Sequence, residues 1–286
     1  MSSKSINAKN DLVSNIFTNT MADMKWSDIQ RSADENAIVL LPMGVIEEHG
    51  PHLCLATDIY TAHIYCISIK QKLEEQGYAA VIAPPFYWGI CQSARGFIGS
   101  FNIRMETAQA LLYDILASLK NFGFQRVFGV NAHGDIEHQV AAMHAFKDAC
   151  DMLDITACFP YQEFMLHHFG LNSKEPCFYV IEPQTIKVSN APIPDTHGGD
   201  METATINMFY PHLVDTEKAK SLPDVTLGDN FEAWMFGGQL KQLSPQGYLG
   251  SPASYEKVDI ADHVADYAHR TTEAILTRIN QPREKE

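Results

Sequence analysis

The sequence lacks the features that mark secreted, membrane-spanning and nucleic-acid-binding proteins. No apolar run reaches about 18 residues, and residues 1–15 are polar, without the apolar core of a signal peptide. Positive charge is scarce, because 21 Lys and Arg face 35 Asp and Glu and leave a formal net charge of -14. Such a charge opposes binding to phosphate backbones and anionic lipids. We therefore expect no nucleic-acid partner and no membrane partner.

Several catalytic and redox motifs are also missing. The six cysteines are scattered without any C-x-x-C pair, and several lie in apolar runs, as buried reduced thiols do. We therefore expect a reducing compartment and a cytoplasmic location. No Walker or G-x-G-x-x-G phosphate loop occurs, and Cys91 and Ser93 lack the G-x-S-x-G turn of serine hydrolases.

What the sequence does contain is an alternation of short apolar runs and amphipathic segments. Strands are predicted over residues 37–41, 78–83, 126–130 and 155–159, and helices over residues 57–76, 105–122 and 136–152. Crossovers of this kind imply a parallel sheet with helices on both faces. The predicted fold class is therefore α/β, as a three-layer α/β/α structure with a mostly parallel sheet.

The rest of the chain has a less regular pattern. Residues 1–25 are predicted as an N-terminal arm, and residues 26–286 as a single domain. Residues 164–196 are predicted to form a long excursion beside the sheet, whose role the sequence leaves open. Further helices are expected to begin near residue 200 and to span residues 259–279, with a loop over residues 237–253.

Polar side chains with metal-binding chemistry follow two of the predicted strands. Glu47 and His49 are two residues apart, so in extended backbone they point the same way. Asp58 begins the next helix, whose dipole favours the ionised carboxylate. His133 and Asp135 lie on a turn after the third strand. Neighbouring parallel strands deliver their carboxyl ends to one edge of a sheet, so these five side chains are expected to meet there.

This set of ligands predicts the kind of metal. Mixed histidine and carboxylate ligands suit Zn²⁺, which we favour, with Mn²⁺ or Fe²⁺ as alternatives. Five candidates and one bridging carboxylate predict two ions about 3.5–4 Å apart in each subunit. Each residue taken singly could be an ordinary core or surface group. Two polar clusters that each directly follow an apolar strand are harder to explain by packing.

A third segment, DTHGGDMET, places His197 and Glu202 around a Gly-Gly turn that enters a helix. His197 is a candidate general acid or base, and Glu202 is its candidate orienting carboxylate. A surface role for His197 and helix capping by Asp200 are the alternative.

Together the three segments resemble the creatininase (creatinine amidohydrolase) family, whose members carry E-x-H-G-P-H-L followed by T-D, then an N-G-H-type turn, then H-A-G-x-x-E-T. Here they read EEHGPHLCLATD, NAHGD and HGGDMET, in the same order. The resemblance covers most of the chain. It implies a single α/β domain, a binuclear metal site and a homo-oligomer, often a hexamer.

The resemblance also implies residue roles. Glu47 and His133 would bind one ion and His49 the other, with Asp58 bridging both. Asp135 stands where creatininase itself has a glutamate ligand and many relatives have glycine. His197 resembles the acid/base histidine of the family and Glu202 its neighbouring carboxylate.

The loop GICQSARGFIGS departs from the family pattern, because Cys91 and Ala94 stand where members often carry Ser and His. The substrate pocket therefore differs, and the resemblance does not assign creatinine as substrate. We predict hydrolysis of a carbon–nitrogen amide bond, cyclic in our favoured reading, in a small molecule by metal-activated water. His197 would pass a proton to the leaving nitrogen. The alternatives are metal-assisted ring opening or carbon–carbon hydrolysis of a cyclic ketone, and a metal-binding scaffold that has lost catalysis.

Overall fold

The computed structural model describes residues 15–161, 175–228 and 240–281 of the chain. Its centre is a five-stranded parallel sheet in the order β2-β1-β3-β4-β5. The strands are β1 Ile38–Met43, β2 Ala80–Ile82, β3 Arg126–Asn131, β4 Thr156–Tyr161 and β5 Phe178–Val180. Four of the strands were predicted from the sequence, whereas β5 lies within the predicted excursion.

Helices cover both faces of this sheet. They are α1 Trp26–Asp34, α2 Thr57–Glu75, α3 Met105–Asn121, α4 Ile136–Leu153, α5 Asp200–Phe209, α6 Thr216–Ser221, α7 Leu240–Leu243 and α8 Ile260–Asn280. Short 3-10 turns occupy Met21–Asp23, Pro211–Leu213 and Pro252–Lys257. Among the described residues, no helix is both long enough and apolar enough to traverse a bilayer.

Strand β1 shows how the sheet divides the apolar core into two layers. Successive side chains of a strand point to opposite faces. Val39 and Leu41 join a core cluster with α3 and α4, whereas Ile38 and Leu40 join a second cluster with α2 and α8. All four side chains are fully buried. The predicted three-layer α/β/α architecture is confirmed.

Two glycines follow the ends of helices α2 and α3. Gly77 follows α2 with φ +84° and Gly123 follows α3 with φ +104°, a region that side chains with a Cβ rarely adopt. Thr57 is the first residue of α2 and not its cap, and its hydroxyl donates to the Cys54 carbonyl at 2.8 Å. His138 in α4 is 2% exposed.

Three predicted segments are only partly described. Residues 1–14 of the predicted arm and residues 162–174 of the excursion, with His167 and His168, lie outside the described residues. The end of the arm packs on the domain, because Thr20 and Met21 are buried and Thr18 O accepts an N–H from His63 at 2.8 Å. The predicted loop over residues 237–253 contains α7 and the start of a 3-10 turn, and residues 229–239 are not described.

Candidate metal and catalytic site

The candidate ligands are assembled where β1 and β3 end. These two strands pair in parallel up to Met43 and Asn131, so their following turns emerge side by side. The turn after β1 carries Glu47 and His49 and leads into α2, whose first turn carries Asp58. A Cβ on Gly44 would come within 2.7 Å of the Asp58 Cβ, so glycine allows the strand end to approach this helix.

Six of the seven predicted site residues converge there. In the described part of the chain, their ligand atoms form three groups, in each of which the atoms lie within 4.8 Å of one another. The groups are Glu47 with Asp58 and His133, His49 with Asp58 and Glu202, and Glu47 with His49 and His197. Sequence reasoning therefore found residues that the fold brings together from positions over 150 residues apart.

Asp58 lies between the first two groups. Its Oδ1 is 3.0 Å from Nε2 of His49, and its Oδ2 is 3.0 Å from Nδ1 of His133. That same nitrogen of His133 is 3.0 Å from Oε1 of Glu47. Asp58 Oδ2 is buried and has no hydrogen-bond partner of good geometry among the described residues. The two oxygens of one carboxylate thus face two different histidines, as in a carboxylate that bridges two cations.

Each of the three histidines is oriented by the main chain. One ring nitrogen lies at hydrogen-bonding distance from a backbone carbonyl, which makes that nitrogen the N–H donor and leaves the other to face the carboxylates. The pairs are His49 Nδ1 with Glu47 O at 3.1 Å, His133 Nε2 with Ile90 O at 2.9 Å and His197 Nε2 with Glu48 O at 2.7 Å. Metal-ligating histidines are commonly held in this way.

The charges of the cluster are strongly coupled. Burial alone would raise the pKa of the Asp58 carboxyl, yet His49 and His133 hold that pKa well below its usual value. Burial would lower the pKa values of the two histidines, but the neighbouring carboxylates Asp58, Glu47 and Glu202 raise them. Carboxylates buried at this density need positive charge beside them, which protons on histidines or bound cations can supply.

His197 lies beside the cluster and contacts a residue that the sequence analysis missed. Its Nε2 is 3.4 Å from Oε1 of Glu48, and its Nδ1 is 3.9 Å from Oε1 of Glu47. Burial and His49 lower the pKa of His197, but Glu48 and Glu47 raise it, and the net shift is upward. Only the position of Glu48 inside the EEHG run could have suggested its role.

Glu202 is turned towards His49. Its Oε2 accepts the N–H of Gly198 at 2.6 Å and lies 3.7 Å from Nε2 of His49. The main chain there is held by Asp195, whose carboxylate accepts N–H groups from Gly199 at 3.0 Å and from Glu202 at 2.9 Å. Burial and the nearby Glu202 carboxylate raise the pKa of Asp195 to about 8. The Glu202 side chain, 25% exposed, is the most open of the six.

A cavity of about 180 Å³ opens onto this cluster. Its lining residues in the described chain come from the turns after β1 and β3, the first turn of α2, the loop after β2, and α5 with the segment that precedes it. They are Glu47, Asp58, Ser93, Ala132, His133, Gly134, Asp135, Thr196, His197 and Glu202. The lining contains no lysine or arginine, so the described wall offers no fixed cation to an anionic substrate.

Comparison with known proteins places this site in a family. The family model Creatininase, described as creatinine amidohydrolase, matches residues 22–275. The chain belongs to the creatininase family. The prediction of a hydrolytic enzyme of this family is confirmed.

Two curated relatives are distant in sequence. A creatinine amidohydrolase of Pseudomonas putida is 20% identical over 212 residues, covering 72% of this chain and 77% of the relative. A mycofactocin precursor peptide peptidase of Mycolicibacterium smegmatis is 26% identical over 219 residues, covering 76% of this chain and 75% of the relative.

Solved creatininases share the fold. A mutant creatininase superposes with a TM-score of 0.68 at 18% identity, covering 92% of this chain and 100% of the other. A creatininase in a Mn form has a TM-score of 0.61 at 20% identity, covering 92% of this chain and 99% of that chain. A mutant creatininase of the Zn-Zn type has a TM-score of 0.60 at 16% identity, covering 92% of this chain and 98% of that chain. These solved structures therefore share the fold of this chain.

Asp135, the seventh predicted site residue, lies in the cavity wall but outside the three ligand groups of the described chain. Its Oδ1 accepts N–H groups from Glu137 at 3.0 Å and His138 at 3.2 Å, and its Oδ2 accepts them from Gln92 at 2.7 Å and Ser93 at 3.3 Å. Burial raises its pKa, although His133 and these N–H groups oppose that shift.

Cys91 contacts a candidate ligand, although no catalytic motif surrounds it in the sequence. Its Sγ donates to Oε2 of Glu47 at 2.8 Å, and the side chain is fully buried. Burial and the Glu47 carboxylate raise the pKa of the thiol, so it stays protonated and acts as a donor. The departure of this loop from the family pattern thus contacts the candidate ligand cluster directly.

Proposed function

We propose that this protein is a binuclear metal-dependent amidohydrolase. One ion would be held by Glu47, Asp58 and His133, and the other by His49, Asp58 and Glu202. The observation that carries the proposal is Asp58, whose two oxygens each lie 3.0 Å from a different histidine nitrogen. This assignment gives Glu202 the place of a ligand, where the sequence analysis made it an orienting carboxylate.

The residues present fit divalent cations. Asp58 Oδ2 is a buried acceptor to which no described residue donates a hydrogen bond of good geometry, and the free nitrogens of His49 and His133 face carboxylates. Imidazole and carboxylate ligands suit Zn²⁺ and Mn²⁺, and similar creatininases have been solved in Mn and Zn-Zn forms. When bound, two such ions supply Lewis acidity that activates water and polarises a carbonyl group.

The chain itself supplies the proton transfer. Because Nε2 of His197 donates to the Glu48 carbonyl, its Nδ1 is the nitrogen that can accept and return a proton. Nδ1 lies on the side of Glu47, at the cavity. His197 would take a proton from the attacking water and deliver it to the leaving nitrogen, while Glu48 favours its protonated form.

The volume of the cavity limits how much of a substrate can enter it. At about 180 Å³ it is smaller than the roughly 300–1,000 Å³ of common small-molecule pockets, so we propose that only the scissile end of the substrate enters it. The names of the two curated relatives both point to carbon–nitrogen amide bonds. A cyclic amide is our favoured substrate. A homo-oligomer, possible hexamer formation and a cytoplasmic location stay predictions.

Metal content tests the binuclear site. We expect elemental mass spectrometry to find close to two ions per subunit in the native chain and close to none in Asp58→Ala. Asp200→Asn is the matched control, because Asp200 is also buried near this edge but belongs to none of the ligand groups. Fewer than one ion in the native chain, not restored by added Zn²⁺ or Mn²⁺, would contradict the proposal.

A substrate panel tests the reaction. We expect turnover of lactams or other cyclic amides by the two-ion protein and none by Asp58→Ala. Turnover confined to cyclic polyol-ketones would favour ring opening of a ketone. Two bound ions without turnover of either panel would favour a scaffold that has lost catalysis.

A further inference from the structure

We propose that Asp135 is a positioning residue, and that its carboxylate holds residues 90–93 against Glu47 and His133 without binding an ion itself. Residues 90–93 are called the clasp loop below. The inference rests on the proposed binuclear site. Asp135 is the one predicted ligand that lies outside the three ligand groups of the described chain, and it stands where creatininase has a glutamate.

The hydrogen bonds of Asp135 leave it little capacity for a cation. An ionised carboxylate offers about four lone-pair sites. In this structure four main-chain N–H groups, two from the start of α4 and two from the clasp loop, point at its two oxygens. The residue is 7% exposed, so water cannot readily replace those donors. Binding an ion would leave buried N–H groups without partners, which is costly.

The clasp loop contacts two ligands of the same proposed ion. The Ile90 carbonyl accepts the Nε2–H of His133 at 2.9 Å, which directs Nδ1 towards Asp58 and Glu47. The next residue, Cys91, donates its thiol hydrogen to Oε2 of Glu47, which leaves Oε1 facing His133. Asp135 then fixes the following two residues of the loop through their N–H groups.

The clasp loop and the start of α4 form one packed unit. The Ile90 N–H points at Nδ1 of His138 at 3.4 Å, and a Cβ on Gly89 would come within 2.3 Å of that nitrogen. The Gln92 side chain donates to Glu137 at 2.8 Å. Asp135 caps α4 with one oxygen and holds the loop with the other, so it sets the distance between them.

This arrangement makes the two proposed ion sites unequal. The Glu47–Asp58–His133 site depends on the clasp loop for two of its three ligands, whereas the His49–Asp58–Glu202 site has neither of those contacts. Loss of groups that orient ligands commonly lowers metal affinity about 10–100-fold. Removal of the Asp135 contact to the loop is therefore expected to weaken one ion selectively.

The experiment uses Asp135→Ser, because serine can still cap α4 but is too short to replace both carboxylate oxygens. Co²⁺ titrations followed by visible absorption would measure stoichiometry, affinity and ligand field in the native chain and the variant. We expect two ions at saturation in both proteins, with one of them bound about 10–100-fold more weakly in the variant. Repetition in a Glu202→Gln background, where only the Glu47–Asp58–His133 ion should remain, assigns the weakened ion.

Cys91→Ala is a second variant that leaves the α4 cap intact. It should weaken the same ion, because it removes the donor to Glu47, and Cys91→Ser should restore most of that affinity. Saturation of Asp135→Ser at one ion would mean that Asp135 is a ligand and would overturn the inference. Unchanged affinity for both ions would overturn it as well. If the native chain itself binds fewer than two ions, it is the proposed binuclear function that fails.

Discussion

The two parts of the candidate site are built in different ways. Glu47, His49, Asp58 and His133 come from turns that directly follow the central strands or from the helix that comes next, and none is more than 4% exposed. His197 and Glu202 come from the later part of the chain, where the main chain is irregular before α5, and Glu202 has a side chain 25% exposed. The first set, here called the strand-end set, is fixed by the sheet, and the second by local main-chain contacts.

This difference has a structural cause and a functional consequence. The strand-end set depends on the continuous β1–β3 ladder. The main chain of His197 instead pairs with Leu249 in an isolated bridge, with N–H to O distances of 3.1 and 2.6 Å. A rigid frame suits ion binding, whereas proton transfer and substrate entry need access. We therefore expect the strand-end set to determine ion binding and the later part to determine turnover, with Glu202 as the exception.

The largest expected effect tests that exception. Glu202→Gln should lower the ion content from two per subunit to one and abolish turnover, because the amide side chain is a much poorer ligand than the carboxylate. Elemental mass spectrometry and a turnover assay would measure both. Glu106→Gln, the same change at an exposed carboxylate of α3 outside the ligand groups and the clasp loop, is the control. Two tightly held ions in Glu202→Gln would return Glu202 to the role of an orienting carboxylate.

His197→Gln should reduce turnover about 10²–10⁴-fold, the usual contribution of a general acid or base, while leaving both ions bound. The measurement is kcat with the amide substrate together with metal content. His144→Gln, at an exposed histidine of α4, controls for the substitution itself. If ion content falls with turnover, the Glu47–His49–His197 group is a true ligand set, and the division between ion binding and proton transfer is wrong.

Stability should differ between the same two parts. Phe128 in β3 is fully buried and packs edge-on against Tyr179, with ring centroids 5.4 Å apart. Phe128→Ala should lower the free energy of unfolding by about 3–5 kcal/mol. Tyr248→Phe in the later part removes one hydrogen bond, to the Pro223 carbonyl at 2.7 Å, and should cost only about 1 kcal/mol. Urea unfolding of the metal-free proteins would measure both, and equal losses would contradict the comparison.

The strand-end set was predictable because its signals are local. Hydrophobic runs located β1 and β3, and polar residues directly after parallel strands must share an edge. The orientation of Glu202 towards His49, the contact of Glu48 with His197 and the clasp loop depend on contacts across about 40 to 150 residues, which no local pattern records. Strand β5 is three residues long, too short for its periodicity to distinguish it from a loop.

The smallest expected effect concerns His63, which lies in α2 outside the ligand groups. It is fully buried, its Nε2–H donates to Thr18 O at 2.8 Å, and its Nδ1 accepts from the Tyr210 hydroxyl at 3.4 Å. Burial lowers its pKa below the usual value of about 6.5, although the Thr18 carbonyl opposes that shift. Below pH 6.5 the unfolded chain therefore binds a proton that the folded chain does not yet bind.

The stabilisation that neutral His63 provides is thus complete above about pH 6.5 and is lost as the pH falls towards the lower pKa of the folded state. His63→Gln cannot titrate, so it should be less stable than the native chain by about 1 kcal/mol at pH 7.5, and the gap should narrow as the pH falls. Urea unfolding with chelator across this pH range would measure the gap. Because the other histidines titrate in both proteins, the difference isolates His63, and a constant gap would mean that His63 does not contribute to the loss of stability in acid.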